Sequence, residues 1–213
     1  MRTEFSLRPS LSALGASIEL PPDASLALVL PRAIGTRGPE ATRRVLPVVL
    51  AALTGHTPAS IRIEKDARGK PRLVGGGVAF NISHSRGFSL LAFSRAGEIG
   101  CDIEDRFANG DVMGLCQSVL HASELQAMER LALDERQDAF RRYWVRKEAV
   151  LKAAGSGFLR DPRQVATGLE ELHPDWMGEA GPRFILHNQL IDKGCFAAVA
   201  SMDAACRWHL FQG

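Results

Sequence analysis

The chain has 213 residues, enough for one large domain or for two of roughly 100 residues, each burying a real core. Its 46% hydrophobic and 23% charged residues exclude a disordered tail or a fibre, and 26 basic against 24 acidic residues leave no global field that predicts nucleic-acid or membrane binding. Any anion site must be local. Four cysteines, Cys101, Cys116, Cys195 and Cys206, stand far apart without CxxC or Cys/His spacing, so neither a zinc site nor a disulfide framework is expected. The opening "MRTEFSLRPSLSALGA" lacks a continuous apolar core, and no apolar run approaches ~20 residues, so neither an export signal nor a spanning helix is expected and the cytoplasm is the default location.

In chain order, "SIEL" and "SLALVL" read as strands. "PEATRRVLPVVLAALTG", Pro39 to Gly55, reads as a helix begun by proline, kinked at Pro47 and stopped by glycine. "IRIEKD", "PRLV", "VAFNIS", "FSLLAFS" and "EIGCDIED" are short β-prone runs between turns, predicting a small sheet. From Asp111 the texture becomes helical: "DVMGLCQSVL", "ASELQAMERLAL" and a long helix from Asp134 to Ala154 that Gly155 caps. "RFILHN", "CFAAVAS" and "CRWHLFQ" return to strands. The order strands, helix, strands, helices, strands fits two α+β units side by side better than a doubly wound parallel sheet.

In "IGCDIED", strand alternation puts Asp102 and Glu104 on one face and Cys101 and Ile103 on the other. Two adjacent carboxylates repel unless a proton or a hard divalent cation lies between them; a solvated strand edge is the plainer alternative. In "YWVRKEAVLKAAGSGF", Trp144, Glu148 and Lys152 recur every four residues and share one helix face, either as a surface ion pair beside a core aromatic or as an acid and a base aimed at a ligand. "RGKPRL" holds Lys70 against a rigid Pro71, as a plain turn or as a contact for a phosphate or a flat base. In "FNISHS", Ser83 and His84 offer hydroxyl and imidazole at a strand end.

The series GKP, FNISHS, GxDIE and WxxKEAxLKAxGxG, from Gly69 to Gly157, resembles the phosphopantetheinyl transferases of the larger, surfactin-type class. That resemblance implies an α+β pseudo-dimer of two similar lobes, each a small antiparallel sheet packed against helices. The lobes would span residues 1–105 and 106–213, with the active site between them in a monomer. It implies transfer of the 4′-phosphopantetheine arm of coenzyme A to a serine of an apo carrier protein, of acyl, peptidyl or polyketide type, with release of adenosine 3′,5′-bisphosphate. Asp102, Glu104 and Glu148 would hold Mg²⁺, with Mn²⁺ an acceptable substitute. Lys152 would contact the transferred phosphate, and Glu148 would take the serine proton.

By the same resemblance, Ser83 and His84 would bind coenzyme A phosphates, Gly69, Lys70 and Pro71 would flank the adenine, and Arg44, aided by Arg37, would meet the 3′-phosphate. The segment 106–130 covers the region that faces the carrier in the family and matches it loosely apart from Glu124. Asp105 departs from the pattern by adding a fourth carboxylate. Two rivals remain: a metal-dependent nuclease, disfavoured by the helical Glu/Lys spacing, and an inactive coenzyme A or carrier-binding module, disfavoured by the intact Asp102, Glu104, Glu148 and Lys152 set. No nucleic-acid or membrane partner is expected.

Overall fold

The computed structural model describes residues 6–8, 18–21, 23–31, 38–105, 112–155, 160–176 and 183–211. In chain order its elements are β1 (Ser6–Arg8), β2 (Ala24–Pro31), helix α1 (Gly38–Thr54), β3 (Ile63–Lys65), β4 (Pro71–Leu73), β5 (Ala79–His84), β6 (Phe88–Ser94) and β7 (Gly100–Glu104). There follow helices α2 (Val112–Val119), α3 (Ala122–Glu129) and α4 (Arg136–Ala153), then β8 (Val165–Ala166), β9 (Asp175–Trp176), β10 (Ile185–Asp192), β11 (Cys195–Ser201) and β12 (Ala205–Phe211). Among the described residues no helix is long and apolar enough to cross a membrane.

Two sheets stack between two helices. The larger has five strands in the order β1-β12-β2-β6-β5, the smaller three in the order β10-β11-β7. Successive side chains of β2 point to opposite faces. Leu26, Leu28 and Leu30 pack with Val45, Val49 and Leu50 of α1, while Ala27 and Val29 pack with Cys101 and Ile103 of β7 and Ala197 and Val199 of β11. A strand buried on both faces is apolar over most of its length, which is why "SLALVL" and "FSLLAFS" show no polar alternation, and the buried Ser25 and Ser94 are hydrogen-bonded to Ser201 and Asp203. The outer face of the smaller sheet carries α4, where Val145 and Ala149 meet Ala198 and Ala200.

The α+β class is as expected, with one difference of detail. The larger sheet is mixed: β12 runs parallel to both β1 and β2, while β2, β6 and β5 pair antiparallel. Two strands pair across the expected division at residue 105, for β7 joins β11 in the smaller sheet and β12 joins β2 in the larger. Residues 18–20 are not a strand, contrary to the reading of "SIEL": the adjoining Pro21 has no N–H to give a ladder. Helix α1 is continuous through Pro47, and Gly55, at φ +72°, ends it in the left-handed conformation that glycine adopts freely.

Two contacts hold α4 in place. At Gly100 of β7 an added Cβ would lie 2.1 Å from the carbonyl oxygen of Ala149 and 2.3 Å from the nitrogen of Ala153, so the helix backbone rests directly on the strand. On its far side Lys147, 1% exposed, forms a 2.7 Å ion pair with Glu124 of α3, 2% exposed. The Lys147 ammonium also donates to the carbonyls of Pro162 and Val165, and Glu124 Oε1 accepts from the backbone N–H groups of Thr167 and Gly168. Every charge in this pair is hydrogen-bonded, the condition under which burying it is tolerated.

Gly100→Ala is expected to lower stability by about 3 kcal/mol or more, because a methyl group would displace helix backbone. Urea unfolding checks this, and an unchanged midpoint would show that α4 does not rest on β7. Lys147→Met strands a buried carboxylate and is expected to cost about 3–5 kcal/mol, of which adding Glu124→Gln recovers part. Equal unfolding midpoints for the single and double variants would contradict that account.

Candidate active site

Strand β5 explains the polar break in "FNISHS". Its Asn81 Oδ1 accepts the backbone N–H of Cys101 at 3.0 Å, so a side chain ties the larger sheet to β7 of the smaller one. Two residues on, the Ser83 hydroxyl donates to Asp102 Oδ1 at 2.6 Å. At the strand end His84 is exposed, with Nδ1 3.0 Å from Ser89 Oγ. The turn that follows is held by Asp105, whose carboxylate accepts the N–H groups of Arg86 and Gly87. The fourth carboxylate thus has a structural use.

Strand β7 alternates as expected. Cys101 and Ile103 enter the core between the sheets, and Asp102, 4% exposed, faces the other way. Its register partner is Ala198, a residue of the α4-facing core. From α4, Lys152 Nζ reaches Asp102 Oδ1 at 2.7 Å, the Cys101 carbonyl at 3.3 Å and Ser83 Oγ at 3.4 Å. Glu148, one turn earlier, lies 3.9 Å from the same ammonium. Ser83, Asp102, Glu148 and Lys152, separated by up to 69 positions in sequence, therefore meet at one point.

The cluster's electrostatics reflect crowding of like charge. Burial, with the charges of Asp102, Asp105 and Glu148, pushes the Glu104 carboxyl up to about 7, against the pull of Lys152. Burial likewise raises the Glu148 carboxyl, Lys152 opposing and Asp102 adding to the shift. Burial works to lower the Lys152 ammonium, but Asp102, Cys101 and Glu148 together outweigh it and the net shift is upward. One buried oxygen, Asp102 Oδ2, has no hydrogen-bond partner among the described residues. Hard oxygen donors, mutual repulsion and an unsatisfied buried carboxylate oxygen suit a divalent cation. As the side chains stand, however, no group of three or more His, Cys, Asp or Glu among the described residues is arranged to hold one.

The remaining candidates stand apart from this point. The GKP turn is rigid: Gly69 has φ +81°, and Asp66 Oδ1 accepts the N–H groups of Arg68 and Lys70 at 2.9 and 3.0 Å. The Lys70 ammonium, however, turns onto the C-terminus of α4 and onto Glu98. Arg44 sits on the exposed face of α1, paired with Glu40 at 3.2 Å. Arg37 and Gly157 lie outside the described residues. Sequence reasoning assigned no role to Asn81; an amide inside an otherwise apolar strand was the available signal.

Residues 98–193 match the 4′-phosphopantetheinyl transferase superfamily, a span that holds β7 and α4 with Asp102, Glu104, Glu148 and Lys152. Over 164 residues, 75% of this chain and 68% of the relative, the sequence is 30% identical to the 4′-phosphopantetheinyl transferase HetI of Nostoc sp.. It is 32% identical to the 4′-phosphopantetheinyl transferase AcpT of Escherichia coli strain K12 over 131 residues, 61% of this chain and 67% of the relative. It is also 30% identical to a putative 4′-phosphopantetheinyl transferase of Synechocystis sp. over 136 residues, 62% of this chain and 52% of that one. An acidic strand and a Glu/Lys helix face locked together by a shared ammonium thus lie within the span that matches the family, and the chain belongs to the 4′-phosphopantetheinyl transferase superfamily.

Proposed function

We propose that the protein moves the 4′-phosphopantetheine group of coenzyme A to a serine hydroxyl of an apo acyl, peptidyl or polyketide carrier protein, releasing adenosine 3′,5′-bisphosphate, as a monomer of the surfactin-type class acting in the cytoplasm. The observation that supports this best is the convergence of Ser83, Asp102, Glu148 and Lys152 from both sheets and from α4. The four cysteines are buried and none forms a disulfide, in keeping with a reducing compartment.

In this reading the serine Oγ attacks the phosphorus that bears the pantetheine arm, and the bond from that phosphorus to the departing bisphosphate breaks. Glu148 accepts the serine proton: burial raises its carboxyl, which makes it a stronger base than a solvated carboxylate. Lys152, poised between Asp102 and Glu148, donates to the phosphate being transferred. Ser83 and the exposed His84 meet the pyrophosphate side of coenzyme A, the rigid backbone of Gly69, Lys70 and Pro71 flanks the adenine, and Arg44 meets the 3′-phosphate. Asp102, Glu104 and Glu148 are the residues that would hold Mg²⁺ or Mn²⁺. A cation bound there neutralises charge on the pyrophosphate and on the leaving oxygen.

The competing reading is a coenzyme A or carrier-binding module without turnover. Incubation of the pure protein with coenzyme A, Mg²⁺ and a panel of apo carriers separates the two. The transferase reading expects one carrier serine to gain the mass of a phosphopantetheine group; coenzyme A binding with every carrier unmodified favours the module. Glu148→Gln is expected to keep coenzyme A binding, measured by calorimetry, while transfer falls by about 10²-fold or more. Wild-type turnover in that variant would remove Glu148 from its proposed role. Glu104→Gln is expected to raise the Mg²⁺ concentration needed for half-maximal transfer, and an unchanged Mg²⁺ titration would exclude Glu104 as a ligand.

A further inference from the structure

The Lys70 ammonium has three N–H donors. Three acceptors lie within 3.0 Å of it: Glu98 Oε2 at 2.8 Å, the carbonyl of Lys152 at 2.9 Å and the carbonyl of Ile99 at 3.0 Å. The Ala153 carbonyl follows at 3.5 Å. The side chain is 9% exposed. An ammonium in this setting has no donor to spare for a phosphate or an adenine.

We propose that Lys70 is a positioning residue that clamps the last turn of α4 to the approach to β7 and so sets the spacing of Glu148 and Lys152 against Asp102 and Glu104. This rests on the transferase reading above. The last carbonyls of a helix have no intrahelical partner and carry the negative end of its dipole, so a cation across them is favourable. Lys70 takes two of these carbonyls, one belonging to Lys152 itself, whose own ammonium meets Asp102. Its third contact, Ile99, precedes β7 directly and stands three residues before Asp102. One side chain therefore touches the backbone of α4 and of the residue that leads into β7, the two elements that carry the reactive groups.

The clamp is itself braced. Arg72 donates to Glu98 Oε1 at 2.6 Å and to Asp66 Oδ2 at 2.8 Å, so both oxygens of the carboxylate that anchors Lys70 are engaged. The backbone N–H of Lys70 is bound to Asp66, and Arg68 Nη1 donates to the Gly155 carbonyl at 3.2 Å, a second tie between the same turn and the end of α4. Gly100 brings helix and strand into backbone contact, and Lys70 ties the end of the helix to the residue that leads into the strand.

Lys70→Met and Lys70→Arg test this, read by amide hydrogen exchange, coenzyme A calorimetry and steady-state transfer to an apo carrier. In Lys70→Met, residues 99–104 and 150–155 are expected to lose exchange protection. In the same variant kcat is expected to fall about 10²-fold, as a displacement of about 1 Å at reacting groups does, while the dissociation constant and KM for coenzyme A stay within about threefold. Lys70→Arg, which also offers donors to carbonyls, is expected to recover much of kcat at unchanged affinity and decides the matter if the methionine variant does not fold.

A variant that keeps kcat but binds coenzyme A at least about tenfold more weakly overturns the proposal and makes Lys70 a ligand contact. Unchanged exchange protection at 99–104 and 150–155 overturns it as well. Absence of transfer by the wild-type protein on every carrier is failure of the transferase reading, not of the clamp, which the exchange measurement still decides.

Discussion

Helix α4 can lie against β7 only because residue 100 has no side chain, and most of what is distinctive in the molecule depends on that contact. With a Cβ 2.1 Å from a helix carbonyl excluded, the two backbones close up, and a lysine on the helix reaches a carboxylate on the strand without extending into solvent. The small residues opposite, Ala149, Ala153, Ala198 and Ala200, belong to the same solution. Bulk at any of them would push the helix outward. The close approach also strengthens the charges it encloses, since groups withdrawn from water interact through a lower effective dielectric.

A chain with nearly equal numbers of basic and acidic residues has no long-range field to gather an anionic ligand. It makes a local one instead. Asp102, Glu104, Asp105 and Glu148 share a small region with Lys152, and burial with neighbouring negative charge raises the carboxyls of Glu104 and Glu148. Asp105 accepts the N–H groups of Arg86 and Gly87, and Asp102 accepts from Ser83 and Lys152. Division of labour among chemically similar groups thus follows from which of them found a hydrogen-bond donor.

Much of this was legible in the sequence where periodicity is local. The alternation of β7, the bounds of α4 and the stop at Gly155 follow from rules that need only a few neighbouring residues. The polar signals around the site were legible only jointly, since a DxE, a GKP or a serine at a strand end is commonplace alone. What could not be read was partnership across the chain. Nothing near Lys70 shows that its ammonium will cap a helix 82 positions away, and nothing near Asp105 distinguishes a turn anchor from a metal ligand. The mixed sheet escaped for the same reason: strand direction is set by where the chain has travelled in between, not by the residues of the strand.

The placement of β12 bears on how the protein is made. Ser25 on β2 hydrogen-bonds Ala205 at the start of β12, 180 positions later, and β12 lies between β1 and β2 in the larger sheet. A ribosome delivers β2 long before its parallel neighbour, so until β12 is made that strand offers an open flank to the solvent and to other nascent chains. Pairing of such sequence-distant strands closes a long loop and is intrinsically slow. The sheet on which the site is mounted is thus sealed only once the residues between β2 and β12 have been made, and the interval before that is when a chaperone has most to do.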